Sequence, residues 1–189
     1  MEIVLIRHGE STANALSPEN AIFCGRFDCP LTEKGEDEAR SLRGRAELEN
    51  ADAVFVSPLR RTVQTAVLFG AENIITDARL TERTMGDFDG RKVREIMENP
   101  AYRRYFEDEN YKYFRASFTQ SAPHGESYAD VSRRAEDFLR DVKSRGYRKI
   151  VVVSHMHAIR CILKAANHLT EAETLRLKIR QCEPITVVV

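Results

Sequence analysis

The 189-residue chain has no tryptophan and only four cysteines. Cys24, Cys29, Cys161 and Cys182 form no C-x-x-C pair. So sparse a set fits a reducing cytoplasm better than a disulfide framework. No run of about 18 apolar residues occurs, so neither a transmembrane helix nor a membrane partner is expected. The N-terminal stretch is apolar only up to Ile6 and turns charged at Arg7, too short and too little basic for a signal peptide. Net charge is absent too: 29 Lys+Arg balance 29 Asp+Glu. A nucleic-acid-binding domain carries a basic excess, so that class is not expected. Internal repeats and low-complexity linkers are missing as well. Lysine is scarce, with 7 against 22 arginines. That bias reads either as solvated helix faces or as Arg forks gripping a phosphate or carboxylate.

What is present describes a folded domain. The hydrophobic share is 42% and the charged share 31%. At this length one domain is the default, burying about 70% of the unfolded surface. Residues 2–7, apolar without a break from Ile3 to Ile6, read as a strand buried on both faces. Residues 53–56, 74–75 and 149–153 repeat the pattern. Between them lie helical spacings. Ala39, Leu42 and Ala46 follow a candidate cap at Thr32. Tyr128, Val131, Ala135, Phe138, Leu139 and Val142 form a stronger set. Strands alternating with helices predict an α/β fold, a three-layer α/β/α sandwich with a mostly parallel central sheet. The tail from Pro184 to Val189 reads as a last strand near an edge, because Pro184 cannot donate to a ladder.

Residues 99–120 hold seven of the fifteen Phe and Tyr, interleaved with Arg103, Arg104, Lys112 and Arg115. Two readings are open. The stretch is a helical excursion packed on the body, or a cap whose aromatics and cations face a ligand. The chain is therefore read as a single domain, 1–189, with a helical, aromatic cap-like insertion at about 91–127.

In open α/β sheets ligands bind beyond the carboxyl ends of the strands. The first strand delivers Arg7-His8-Gly9-Glu10-Ser11. The second delivers Ser57-Pro58-Leu59-Arg60-Arg61-Thr62. Leu80-Thr81-Glu82-Arg83 follows the third, and Ser154-His155-Met156-His157 the fourth. If these strands run parallel, two His, several Arg and a Glu converge on one edge. Two Arg forks make a pocket for a tetrahedral dianion. A His kept neutral by nearby Arg is a nucleophile, and a Glu beside it can protonate a leaving oxygen. The sum is phosphoryl transfer through a phosphohistidine.

These blocks resemble those of the histidine phosphatase (phosphoglycerate mutase-like) superfamily. Arg7-His8-Gly9-Glu10-Ser11 with Asn14, Gly25 with Pro30-Leu31-Thr32-Glu33-Lys34-Gly35, and Ser57 to Ala66 stand in family order. Leu80 to Gly86, Gly125-Glu126-Ser127 followed by Arg133, and Val151 to His155 complete it. The resemblance implies that His8 is the nucleophile and Glu82 the general acid and base. It implies that Arg7, Arg61 and His155 hold the phosphoryl oxygens. Spacing within the block selects Arg61 over Arg60. Asn14, Cys24, Gly25 and Met156 would contact substrate. The family needs no metal or organic cofactor, so none is expected, and the partner would be a small phosphate ester. Two departures stand out. Met156 replaces the usual Gly after the second histidine, adding a side chain on that side of the pocket. His157 makes a His-x-His pair with His155, a metal reading that would need Glu82 as third ligand; the alternative is a helix-start residue at the pocket rim. His124 and His168 read as exposed loop or helix-end residues. The resemblance favours a phosphatase, since family mutases tend to have longer chains. A cofactor-dependent mutase and a non-catalytic phospho-ligand binder remain the alternatives.

Overall fold

Four apolar runs lie side by side at the centre of the computed structural model, which describes all 189 residues. They are β1 (Glu2–Arg7), β2 (Ala53–Val56), β3 (Ile74–Thr76) and β4 (Lys149–Ser154). A fifth strand, β5 (Ile185–Val188), closes the order β3-β2-β4-β1-β5. The first four strands are mutually parallel, as expected, and β5 runs antiparallel to β1 at one edge. The parallel strands place their carboxyl ends together on one side of the sheet.

Alternation along each strand sends side chains to opposite faces. Ile3, Leu5, Phe55, Ile150 and Val152 pack under helices α5 (Tyr128–Ser144) and α6 (Met156–Asn167). Val4, Ile6, Val54, Val56, Val151 and Val153 pack under α1 (Glu33–Arg40) and α2 (Arg60–Phe69). The result is the three-layer α/β/α sandwich. The six periodic residues of α5 are all buried. Its start is a capping box in which Ser127 and Asp130 exchange hydrogen bonds. Thr32 caps α1 by accepting from the Gly35 N–H at 3.0 Å. The helical spacing from Ala39 to Ala46 overshoots: α1 stops at Arg40, Gly44 turns the chain at φ +69°, and Ala46 is exposed. No helix is long and apolar enough to cross a membrane.

The aromatic stretch contains α3 (Val93–Glu98), α4 (Arg104–Glu107) and short 3₁₀ turns. A last short helix, α7 (Glu171–Arg176), precedes β5. Most of the aromatics face each other. The Phe88 ring sits 5.0 Å from Tyr102, 5.5 Å from Tyr105 and 5.7 Å from Phe114, mostly edge to face. Tyr105 and Phe114 are buried in this separate cluster with Phe23 and Ile96. Phe118 joins the main core instead. The cations pack on the same rings: Arg104 lies 5.1 Å from the centre of Tyr105, and Arg115 lies 4.7 Å from that of Phe23. Composition alone left two readings of this segment, and its rings follow the packed one.

Candidate active site

The ladder continues past the strand ends and locks three of them together. The His8 N–H donates to Ser154 O, and the Ser57 N–H to Val153 O, each at 3.1 Å. His8, Ser57 and His155 thereby become neighbours. Ser154 Oγ donates to Leu80 O at 2.7 Å, which ties down the segment carrying Glu82. The expected convergence occurs: His8, Arg61, Glu82 and His155 are all buried, and Arg7 is half-buried. Arg60 is exposed, its N–H donating to Asp28.

Hydrogen bonding decides what His8 can do. Its Nδ1 lies 2.7 Å from Gly9 O, an acceptor only, so Nδ1 carries the proton. Nε2 is left with its lone pair, and Arg61 Nε donates to it at 3.3 Å. Burial, with the Arg61 charge next, pushes the His8 pKa from 6.5 to about 3. The ring is therefore neutral at physiological pH. Gly9 is required for this placement: a Cβ there would lie 2.3 Å from Gly35 O.

Two buried nitrogens around His8 have no partner in the chain. Ser57 Oγ sits 2.8 Å from His155 Nε2, and His155 Nδ1 is buried and unpaired. Arg7 Nη1 donates to Ile179 O at 2.9 Å, while Arg7 Nε is buried and unpaired. Arg61 is held from behind, donating to Gly25 O and Phe27 O at 2.9 Å each. Buried polar groups without partners are rare in folded proteins. Here both unpaired groups belong to basic side chains within one constellation, which suits an anion.

Glu82 lies near enough for its charge to act on both His8 and Arg7. It accepts from its neighbour Arg83 N–H at 2.8 Å and from the His157 N–H at 3.2 and 3.3 Å. His157 Nδ1 lies 3.2 Å from Glu82 Oε1, without the alignment of a hydrogen bond. Burial alone would push the carboxyl up. The rings of His157 and His155 and the Arg83 N–H outweigh it and hold Glu82 well below the usual carboxylate range. His157 is thus the second residue of α6, half-buried, and it orients Glu82.

The remaining candidates are placed less uniformly. The Asn14 carboxamide oxygen accepts from Ser11 Oγ and from Gln181 Nε2 at 2.9 Å each. Asn14 is exposed, with no bond from its NH₂ group to the chain. Cys24 is half-buried, and its sulfur approaches that of Cys29. Gly25 contributes a carbonyl to Arg61, and a Cβ there would meet Asp89 Oδ1 at 2.4 Å. Met156 opens α6 and packs against the cluster beneath α5 and α6, which draws its side chain toward the core. His124 is exposed in a turn, and His168 caps α6.

The sequence profile of the "Histidine phosphatase superfamily (branch 1)" matches residues 3–189. The chain belongs to this superfamily. Phosphoserine phosphatase 1 of Hydrogenobacter thermophilus is 33% identical over 172 residues, covering 86% of this chain and 76% of that protein. "Probable phosphoglycerate mutase GpmB" of Enterobacter sp. (strain 638) is 32% identical over 188 residues, covering 96% and 82%. The crystal structure of the α-ribazole phosphatase from Shigella flexneri aligns with a TM-score of 0.82 at 25% identity, over 100% of this chain and 91% of that one. The chain is a phosphatase of the histidine phosphatase superfamily.

Two residues of this histidine phosphatase have roles that the sequence did not reveal. Arg133, the residue first matched after the Gly125-Glu126-Ser127 element, is exposed and pairs with Asp130. Arg134 is the one that turns inward. It grips both Glu126 oxygens at 3.0 Å and donates to Arg79 O at 2.6 Å and Thr81 O at 2.7 Å, immediately before Glu82. The second is Arg83, 0% exposed with no carboxylate bonded to it. Its guanidinium donates to Phe114 O and Arg115 O at 2.8 Å and stands 4.9 Å from the Tyr128 ring centre. It fastens the aromatic segment to the body beside Glu82. Arg83→Met should lower stability by about 3–5 kcal/mol, because it strands buried carbonyls. Urea unfolding measures this; a change below about 1 kcal/mol would show that water replaces the guanidinium.

Proposed function

We propose that this phosphatase hydrolyses a small-molecule phosphomonoester through a covalent phosphohistidine on His8. The observation that carries the reading is the pair of buried, unpartnered nitrogens, Arg7 Nε and His155 Nδ1, around a His8 whose Nε2 holds a lone pair. Arg7, Arg61 and His155 bind the phosphoryl oxygens and stabilise charge in the transition state. In attack, the Arg61 N–H leaves the His8 lone pair for a phosphoryl oxygen. His8 Nε2 bonds to phosphorus as the P–O bond to the alcohol breaks. Glu82 gives its proton to the leaving alkoxide, then takes one from the water that cleaves the P–N bond. Inorganic phosphate leaves and His8 is regenerated. The exposed Asn14 amide adds a donor at the rim, Cys24 and Gly25 line the substrate side, and the 91–127 segment caps it.

Glu82 is ionised in the resting enzyme, so the proton it delivers comes in with the substrate. A phosphomonoester carries that proton only as its monoanion, below a second pKa of about 6. For an alkyl phosphate, kcat/KM should therefore fall about tenfold per pH unit above roughly pH 7. His8 contributes no acid limb near 6.5, because its pKa lies at about 3. A profile flat to pH 9 would overturn the proton route through the substrate.

The mutase reading draws on the relative named as a phosphoglycerate mutase, which covers 96% of this chain. A panel of phosphoesters, including phosphoserine, α-ribazole phosphate and 3-phosphoglycerate, assayed with and without a bisphosphate primer, separates the two. Release of phosphate without primer is the expected result. Isomerisation that requires primer would reverse the choice.

A further inference from the structure

The loop from Cys24 to Cys29 serves Arg61 and also joins two sulfurs. Its Gly25 and Phe27 carbonyls hold the Arg61 guanidinium, each at 2.9 Å. Its ends bring Cys24 Sγ and Cys29 Sγ to 3.8 Å. Arg61 Nη1 is itself 3.8 Å from Cys29 Sγ, and Arg61 Nε donates to His8. One guanidinium thus touches the nucleophile, one sulfur and the loop between both sulfurs. Cys24 is half-buried and offers a way in; Cys29, 3% exposed, sits behind it.

The pair is chemically uneven. The hydrogen bond from Cys24, aided by Ser11 and the Arg61 charge, pushes the Cys29 thiol down, and Cys24 is pushed up in return. The pair shares its protons unevenly, which favours a thiolate at Cys29 facing a thiol at Cys24. That is the arrangement in which oxidation of one sulfur is resolved by the other. Cys161 and Cys182 are buried without a sulfur partner, and burial pushes them up to about 11 and about 12. They serve as internal controls.

We propose that Cys24 and Cys29 form a redox-modification site, in which a small hydroperoxide joins them as a disulfide and switches off phosphoryl binding by displacing Arg61. The switching half rests on the proposed role of Arg61; the disulfide half does not. The thiolate attacks the peroxide oxygen, giving a sulfenic acid and hydroxide. The second thiol then displaces water from the sulfenic sulfur. In sum one thiolate, one thiol and one hydrogen peroxide give one disulfide, one water and one hydroxide. A disulfide bond is about 2.05 Å long, so the sulfurs must close by almost 2 Å. Only four residues lie between them, and two of these carry the carbonyls that hold Arg61. Misplacing a catalytic group by about 1 Å costs on the order of a hundredfold in rate. A buried thiolate behind a half-buried thiol admits hydrogen peroxide more readily than a bulky disulfide.

The test starts from reduced enzyme treated with hydrogen peroxide. Trypsin cuts after Arg26, so Cys24 and Cys29 leave on separate peptides unless they are joined. The expected result is an intact mass lighter by two hydrogens, a linked peptide pair, and kcat/KM lower by at least about tenfold. Affinity for inorganic phosphate, read by calorimetry, should weaken in parallel, so Arg61 displacement is measured even if no ester is turned over. Dithiothreitol should restore all of these. Cys24→Ala, compared with its own untreated state, should show no linked peptide and no thiol-reversible loss. The proposal is overturned if the linked peptide never forms, or if the linked enzyme binds phosphate as the reduced one does. It is equally overturned if Cys24→Ala loses and regains activity as fast as the parent.

Discussion

His8→Ala is expected to lower kcat by about 10⁴–10⁶-fold, because no other group in the site can form the covalent intermediate. His155 Nε2 is already occupied by Ser57 Oγ at 2.8 Å, and Glu82 is bound by backbone donors. The parent enzyme, quenched during turnover and kept alkaline, should carry phosphate on His8 that acid releases. The variant should carry none. Substantial phosphatase activity in His8→Ala would refute the assignment. The same substitution should also change stability against pH. The His8 pKa drops from 6.5 to about 3 on folding, so between these values the unfolded chain binds more protons than the folded one. The contribution is complete above about 6.5 and is lost as pH falls toward about 3. Between pH 7 and pH 4 that loss amounts to roughly 3 kcal/mol, and His8→Ala should not suffer it. Urea unfolding at both pH values gives the difference. His155, also held neutral by burial, titrates in both proteins and cancels. Equal acid losses in parent and variant would mean that His8 is not held neutral.

The strands and the residues at their ends were legible for one reason. A parallel sheet buried on both faces writes itself as continuous apolar runs, and the chemistry follows each run directly. Arg7, His8, Ser57 and His155 are therefore found by reading one step past an apolar segment. Glu82 is legible through its family block, though β3 before it is short and half-exposed. What failed to show is long-range packing. Arg134 and Arg133 are adjacent, both charged, and both on α5. Only the side on which α5 meets the 79–81 segment sends Arg134 inward. The Arg excess had the same property. Many arginines, such as Arg40, Arg94 and Arg140, sit in exposed pairs with acids along their own helices. Such pairs contribute little. Of all 22, only Arg61 and Arg83 are fully buried, and one lies in the phosphate site while the other anchors the segment beside it. The aromatic stretch left two readings open for a related reason. Composition records that rings and cations are close, and the structure shows that they are each other's partners.

Glu82→Gln should have an effect that depends on the leaving group. General acid help contributes about 10²–10⁴-fold when the departing alkoxide is strongly basic. An alkyl phosphate should therefore lose about that factor in kcat, whereas nitrophenyl phosphate, whose leaving group departs unaided, should lose far less in its first step. The amide is close in shape to the carboxylate and can still accept from the Arg83 and His157 N–H groups at one oxygen. It cannot carry the proton. For the nitrophenyl ester, breakdown of the phosphohistidine should then become limiting, because water has lost its base. A burst of nitrophenol equal to the enzyme concentration, followed by slow turnover, is the expected trace. The alkyl ester should show no burst, since its first step is slowed as well. Equal losses on both esters without a burst would assign Glu82 to positioning and leave the proton to another donor. His157 sits 3.2 Å from Glu82 Oε1 and would be the first group to examine.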